Sequence, residues 1–288
     1  MSGVEHAPRP DFLVIGAAKS GTTSLCFGLS RHPDVYITDP KEPHFFSANY
    51  DRGWRWYSSL FSVAGSRKAL GEGSVSYTMQ RHQPGVSERI ARDLPDVRLI
   101  YIVRHPLKRI ESGWRHLLRS NRTRLGLPDA IDAFPGLIDT SLYWRQISYY
   151  RDLFPDEQIR VVFFEDFVRN QLSVLQDCWR FLGVDAEVSL DAAPGARNVS
   201  SGMWVGPVAS ILRRLQLGGR LRPPRWLVKL LRKLLYRELS DEERSPEWTG
   251  AAKGKAIEAI GPDAAEFLRF YKKPPDFWRF DEMESEAN

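Results

Sequence analysis

Lys19 stands inside the run Gly16-Ala17-Ala18-Lys19-Ser20-Gly21-Thr22-Thr23, between a short continuous apolar stretch and an apolar helical pattern. One ammonium, three hydroxyls and several free backbone N–H groups therefore meet at the start of one helix, where the helix dipole favours negative charge. That combination suits phosphate oxygens, although a tight turn with an N-capping hydroxyl would use the same residue types. Arg104 ends a second apolar stretch and is followed by His105 and Pro106; its planar fork offers bidentate hydrogen bonds to phosphate. Glu42 and His44 lie two residues apart just past a third predicted strand. They supply a carboxylate and an imidazole for proton transfer, unless Glu42 only pairs with Lys41 on a solvated loop.

The phosphate loop is not the one that binds nucleoside triphosphates. That motif places its lysine directly after the last glycine, and here position 22 is threonine. The cation has moved into the middle of the loop. A nucleoside or sugar kinase would need a lysine at 22 and a magnesium-holding acid, so that reading is disfavoured.

The elements that must position these groups follow from the apolar periodicity. Short buried runs predict strands at 12–15, 35–37, 68–70, 97–103 and 159–163. Helical patterns predict helices at 22–30, 53–61, 85–93, 107–120, 141–153 and 172–182. Strands alternating with helices imply an α/β fold: a P-loop-like three-layer sandwich with a central, mostly parallel sheet and helices on both faces. Ligands in such folds bind beyond the carboxyl ends of the strands, where the turn at 16–21, Arg104 and Glu42 all fall. Residues 1–10 read as a flexible leader and 11–288 as a single domain.

A chain of 288 residues with 42% hydrophobic residues can bury a sizeable core, and its formal net charge of +5 favours anionic partners. Cys26 and Cys178 are its two cysteines, each within an apolar helical pattern, which suits buried thiols in a reducing compartment. The N-terminus lacks the order of a secretory signal and the first apolar run is too short to span a bilayer, so a cytoplasmic location is expected. From Ala192 to Arg237 there is no acidic residue, and ten arginines and lysines fall inside. Apolar residues at roughly helical spacing accompany them over about 203–240. This basic segment reads as a helical lid, a surface for an anionic acceptor, or an interfacial helix in peripheral contact with an anionic membrane.

The motifs together resemble the sulfotransferases that use 3′-phosphoadenylyl sulfate (PAPS), over roughly residues 11–183. The likeness is greatest to the heparan-sulfate-type and bacterial carbohydrate branch. The resemblance implies that Lys19, Ser20, Gly21, Thr22, Thr23 and Ser24 hold the 5′-phosphate, with Lys19 near the oxygen that bridges to the sulfuryl group. It implies that Arg104 and Ser112, eight residues apart, share the 3′-phosphate. Arg197 and Asn198, in Gly195–Gly202, correspond to a basic loop that closes over the nucleotide. The segment Thr38–Ser47 resembles the family's E-x-H-F-F, which makes Glu42 the general base and His44 a nearby helper. The segment Glu72-Gly73-Ser74-Val75-Ser76-Tyr77 departs from the heparan-type pattern, which has lysine where this chain has Gly73 and proline where it has Val75. Lys41 is the candidate to replace that lysine.

The expected function is thus sulfuryl transfer from PAPS to a hydroxyl of a small-molecule, glycan or lipid-linked acceptor, with 3′-phosphoadenylate 5′-phosphate (PAP) as product. No metal is expected, because Lys19, Arg104 and the loop N–H groups supply the charge and no His, Cys and carboxylate cluster has ligand spacing. The alternative is a noncatalytic binding module for an anionic polymer or membrane. Nucleic acid is disfavoured as a partner, since no groove-reading or RNA-binding motif occurs. Acceptor identity and oligomeric state are not encoded legibly.

Overall fold

The structure, a computed structural model, describes residues 8–188, the backbone of 204–205 and 237–238, and residues 246–281. Five strands, β1 (Phe12–Gly16), β2 (Val35–Ile37), β3 (Ala69–Gly73), β4 (Arg98–Val103) and β5 (Ile159–Phe163), form one sheet in the order β2-β3-β1-β4-β5. Every pairing is parallel. β1 is central and all five of its residues are buried, which is why it reads as an unbroken apolar run rather than an alternating one.

The two faces of the sheet carry different cores. Leu13, Ile15, Leu99, Tyr101 and Val103 point to one face, where they meet Ile90 of α3 (Val86–Asp93), Ile147 and Tyr150 of α7 (Tyr143–Arg151) and Phe267 of α10 (Gly250–Phe270). Phe12, Val14, Ile100 and Ile102 point to the other, against Leu25 and Leu29 of α1 (Thr22–Leu29) and Leu175, Cys178 and Trp179 of α9 (Gln171–Leu182). This strict alternation along β1 and β4 makes the expected three layers. A satellite cluster joins Leu107, Ile110 and Trp114 of α4 (Pro106–Arg119) to α5 (Leu127–Ala133), α6 (Gly136–Asp139) and Ile260 of α10. Two short helices, α2 (Gly53–Ser59) and α8 (Phe164–Arg169), complete the described set.

Several boundaries differ from the sequence reading. β3 runs to Gly73 rather than stopping at 70, because Gly71 is there for packing: a Cβ would lie 2.3 Å from the Phe12 ring. α10 was not foreseen. It contains Gly250, Gly254, Gly261 and Pro262, yet its N-terminus is capped by Thr249, whose hydroxyl accepts from Ala252 N at 3.2 Å. Its apolar side and the following Trp278 close the core, with Trp278 5.6 Å from Tyr143 and 5.7 Å from Phe163 by ring centroids. Within the basic segment, β6 (Trp204–Val205) and β7 (Arg237–Glu238) pair antiparallel; the rest of 203–240 lies outside the described residues. No helix among the described residues is long and apolar enough to cross a membrane.

Candidate active site

The loop after β1 is shaped by two glycines. A Cβ at Gly16 would sit 1.9 Å from Thr78 Oγ1, and one at Gly21 would sit 2.6 Å from the Phe164 ring. Gly21 also has φ +93° at the N-cap of α1, a conformation that side-chain-bearing residues rarely adopt. The two positions are thus closed to side chains by the protein's own Thr78 and Phe164. Ala17 N donates to Ile102 O at 2.7 Å, which ties the loop to the end of β4. Ser20 Oγ is buried and has no hydrogen-bond partner, a cost in a finished core but a ready donor to an anion. Lys19 takes a left-handed backbone, φ 69°. Burial, followed by repulsion from Arg119, draws its ammonium below the usual lysine range, while Glu42 pulls it back up. Thr22, Thr23 and Ser24 form the first turn of α1.

β4 delivers the second group to the same edge of the sheet. Arg104 follows Val103, its guanidinium 4.9 Å from the Phe164 ring centroid, and burial lowers its pKa without threatening its charge. Its carbonyl accepts from the Tyr143 hydroxyl at 2.7 Å. His105 N donates to Glu165 Oε1 at 2.7 Å, and the His105 ring accepts from Leu107 N at 3.2 Å. His105 is thus the N-cap of α4, and Pro106 sits at its first position. Ser112 follows two turns along; Arg115, His116 and Arg119 lie three, four and seven residues beyond it, on the same stripe of α4. That period was available in the sequence.

The third group sits past β2. Phe45 and Phe46 are fully buried; Phe45 stacks on Tyr57 at 4.0 Å, and Phe46 meets Tyr77 edge-on at 5.8 Å. The two rings anchor the segment from below, leaving Glu42 and His44 half-buried above the sheet. Both have positive φ, 66° and 52°, which is uncommon for such residues and collects at functional sites. Glu42 Oε1 accepts from Lys41 Nζ at 3.0 Å, and Glu42 Oε2 lies 3.4 Å from His44 Nε2. The Lys41 pairing is therefore present, but with side chains only 22% and 30% exposed it is not a solvated pair. His44 Nδ1 meets Ser76 Oγ at 2.8 Å, and Ser47 Oγ meets the same hydroxyl at 2.8 Å.

Glu72, a residue to which the sequence assigned no role, organises this side. It is fully buried at the end of β3. Its carboxylate accepts from Tyr77 at 2.5 Å, Ser74 at 2.8 Å and Tyr57 at 3.3 Å. Ser74 Oγ in turn accepts from His44 N at 3.0 Å. Burial pushes the Glu72 carboxyl up to about 7, against the opposing pull of its three donors and of Lys41. A buried carboxyl next to a sharp turn carried no sequence signal beyond its place in GEGSVSYT.

The sulfotransferase domain family matches residues 9–195 of the chain. The chain belongs to this sulfotransferase family. Human heparan sulfate glucosamine 3-O-sulfotransferase 3B1 is 31% identical over 193 residues, which is 64% of this chain and 48% of that protein. Membrane-associated sulfotransferase kil1 of Dictyostelium discoideum is 34% identical over 103 residues, 35% of this chain and 21% of that one. The chain thus spans about half the length, or less, of these curated relatives. Among solved structures, a sulfotransferase from Alicyclobacillus acidocaldarius superposes with a TM-score of 0.69 at 26% identity, covering 94% of this chain and 99% of that one. The three-layer architecture is thus that of a known sulfotransferase. Arg197 and Asn198 lie outside the described residues. Among the described residues no group of three or more His, Cys, Asp or Glu could hold a metal ion.

Proposed function

We propose that this protein transfers the sulfuryl group of PAPS to a hydroxyl of an acceptor, releasing PAP. The observation that carries the reading is the convergence on one sheet edge of a phosphate-shaped loop, a half-buried arginine and a carboxylate held over the same edge. PAPS supplies the sulfuryl group and a phosphate leaving group. Lys19, the hydroxyls of Ser20, Thr22, Thr23 and Ser24 and the N–H groups around Gly21 would hold its 5′-phosphate. The orphaned Ser20 hydroxyl fits such an anion. Arg104 and Ser112 would hold the 3′-phosphate.

Chemistry of this kind asks the protein for alignment and charge stabilisation rather than covalent participation. Glu42 takes the acceptor proton as the new oxygen–sulfur bond forms, and Lys19 takes up the charge that develops on the departing phosphate. His44, fixed by Ser76, steadies Glu42. The acceptor is a carbohydrate, a lipid-linked molecule or a metabolite; the heparan-sulfate relatives favour a sugar hydroxyl, and the absence of their lysine at Gly73 argues against copying their acceptor outright. Peripheral membrane contact through 203–240 remains part of the proposal only for a lipid-linked acceptor.

A thermal-shift titration tests the donor. PAP at about 100 times its Kd should stabilise the fold by roughly 2.7 kcal/mol, whereas ATP with magnesium should do less. Arg104→Ala should weaken PAP about ten- to a hundredfold, the worth of one or more charge-assisted hydrogen bonds. A larger shift with ATP and magnesium would overturn the assignment.

A further inference from the structure

If the donor is PAPS, the sulfuryl group lies between two charged fields: Lys19 and the loop on the leaving side, and Glu42 on the entering side. A carboxylate facing a sulfuryl group repels it, so a cation is needed on Glu42's side of the site. Lys41 is adjacent. Its Nζ is 3.0 Å from Glu42 Oε1, and an ammonium has three donors, of which this contact uses one.

The stem of Lys41 explains how the cation gets there. It runs past the end of β3, and its Cε is 3.7 Å from where a Cβ at Gly73 would be. Gly73 is the β3 residue paired in register with Val14 of β1, two residues before the phosphate loop begins. A Cβ at 73 would touch that stem only in ordinary van der Waals contact. No side chain can be added there while Cys26 stands, because its Sγ lies 2.7 Å from that Cβ position. Burial pushes the Cys26 thiol up to about 12, so it is a neutral wall rather than a nucleophile.

We propose that Lys41 is a catalytic residue that contacts the transferring sulfuryl group, and that Cys26, by closing position 73 to a side chain, leaves Lys41 as the cation at this end of β3. This proposal rests on the PAPS reading above and adds a residue to it.

The test compares PAPS with PAP by calorimetry, since the two differ only in the sulfuryl group. Lys41→Ala should weaken PAPS about tenfold, the scale of one charge-assisted hydrogen bond, and leave PAP within about twofold of wild type on that same scale. Lys41→Arg should recover part of the loss. In a second arm, Gly73→Lys added to the Cys26→Ala, Lys41→Ala pair should restore the preference for PAPS over PAP. Equal changes for PAPS and PAP, or none for either, would overturn a sulfuryl contact and leave Lys41 as a partner of Glu42 alone. A triple variant no better than the double would overturn the role given to Gly73 and Cys26. Wild-type protein that binds neither ligand would bring down the donor reading itself, an outcome separate from both. Thermal melts of each variant show that it is folded before titration.

Discussion

The loop at 16–21 and the loop at 38–47 both leave the carboxyl edge of the sheet, but they are held there by different means. The first grows from β1, which is paired on both sides, and is fixed by backbone: Ala17 N to Ile102 O, Ser20 N to Ala17 O, and glycines that leave no room for side chains. The second grows from β2 at the edge of the sheet. It is fixed chiefly by side chains: two buried phenylalanines below, and Ser74, Ser76 and Glu72 beside it. Backbone anchoring in a central strand offers a constant cradle for a constant ligand. Side-chain anchoring at an edge can be altered residue by residue, which suits the part of an enzyme family that meets different acceptors.

The largest effect expected is on the edge loop. Glu42→Gln should lower kcat by about 10²- to 10⁴-fold, the usual worth of a general base, with PAP affinity unchanged. A parallel loss of PAP binding would show that the two loops are not separable.

Next is Glu72, on which the edge loop hangs. Its carboxyl is raised from 4.5 to about 7, so the folded state holds this proton more tightly than the unfolded chain. Stability from this group is greatest below about pH 4.5 and falls as pH rises to about 7. Glu72→Gln removes the charge, so its stability relative to wild type should climb by an order of 3 kcal/mol across that window. Urea melts at several pH values would read it, and a pH-independent difference would contradict the assignment. PAP affinity should not follow the same curve if the central loop is held independently.

The smallest effect concerns the support of the central side. Asp263 of α10 accepts from Trp144 N at 2.9 Å and Arg145 N at 2.8 Å, capping α7 from another element. Tyr143 of that helix holds Arg104. Asp263→Ala should cost about 1 kcal/mol, the worth of a cap, seen as a fall of a few degrees in Tm at most, and should leave turnover of the folded protein nearly intact.

How far the sequence could be read follows the same division. The order of strand, glycine turn, Lys19 and helix, and the strand-end Arg104 with Ser112, are local patterns set by short-range backbone needs, and the fold brings them to one edge. The pairing of Glu42 with Lys41 and His44 was also within reach, since the three lie within four residues. Glu72 was not, because a buried carboxyl is defined by partners at positions 57, 74 and 77 that no period connects. α10 was missed for the opposite reason: its three glycines and Pro262 contradict local propensity, and packing against Tyr143 and Phe163 overrides it. The strand signal at 69–73 was shortened by Gly71 and Gly73, where a side chain would run into Phe12 and Cys26 respectively.

Trp278 and Phe267 lie far along the chain from residue 195, where the sulfotransferase family match stops, yet both fill the core around Tyr143 and Phe163. Excising residues 9–195 would leave an apolar wound on the face of the sheet that carries Leu13 and Tyr101, and would take away the cap on α7 that steadies Arg104 through Tyr143. The sequence-defined unit and the cooperative unit therefore differ in extent. α10, although remote in sequence from the loop after β1, acts as the keystone of the wall on which Arg104 stands.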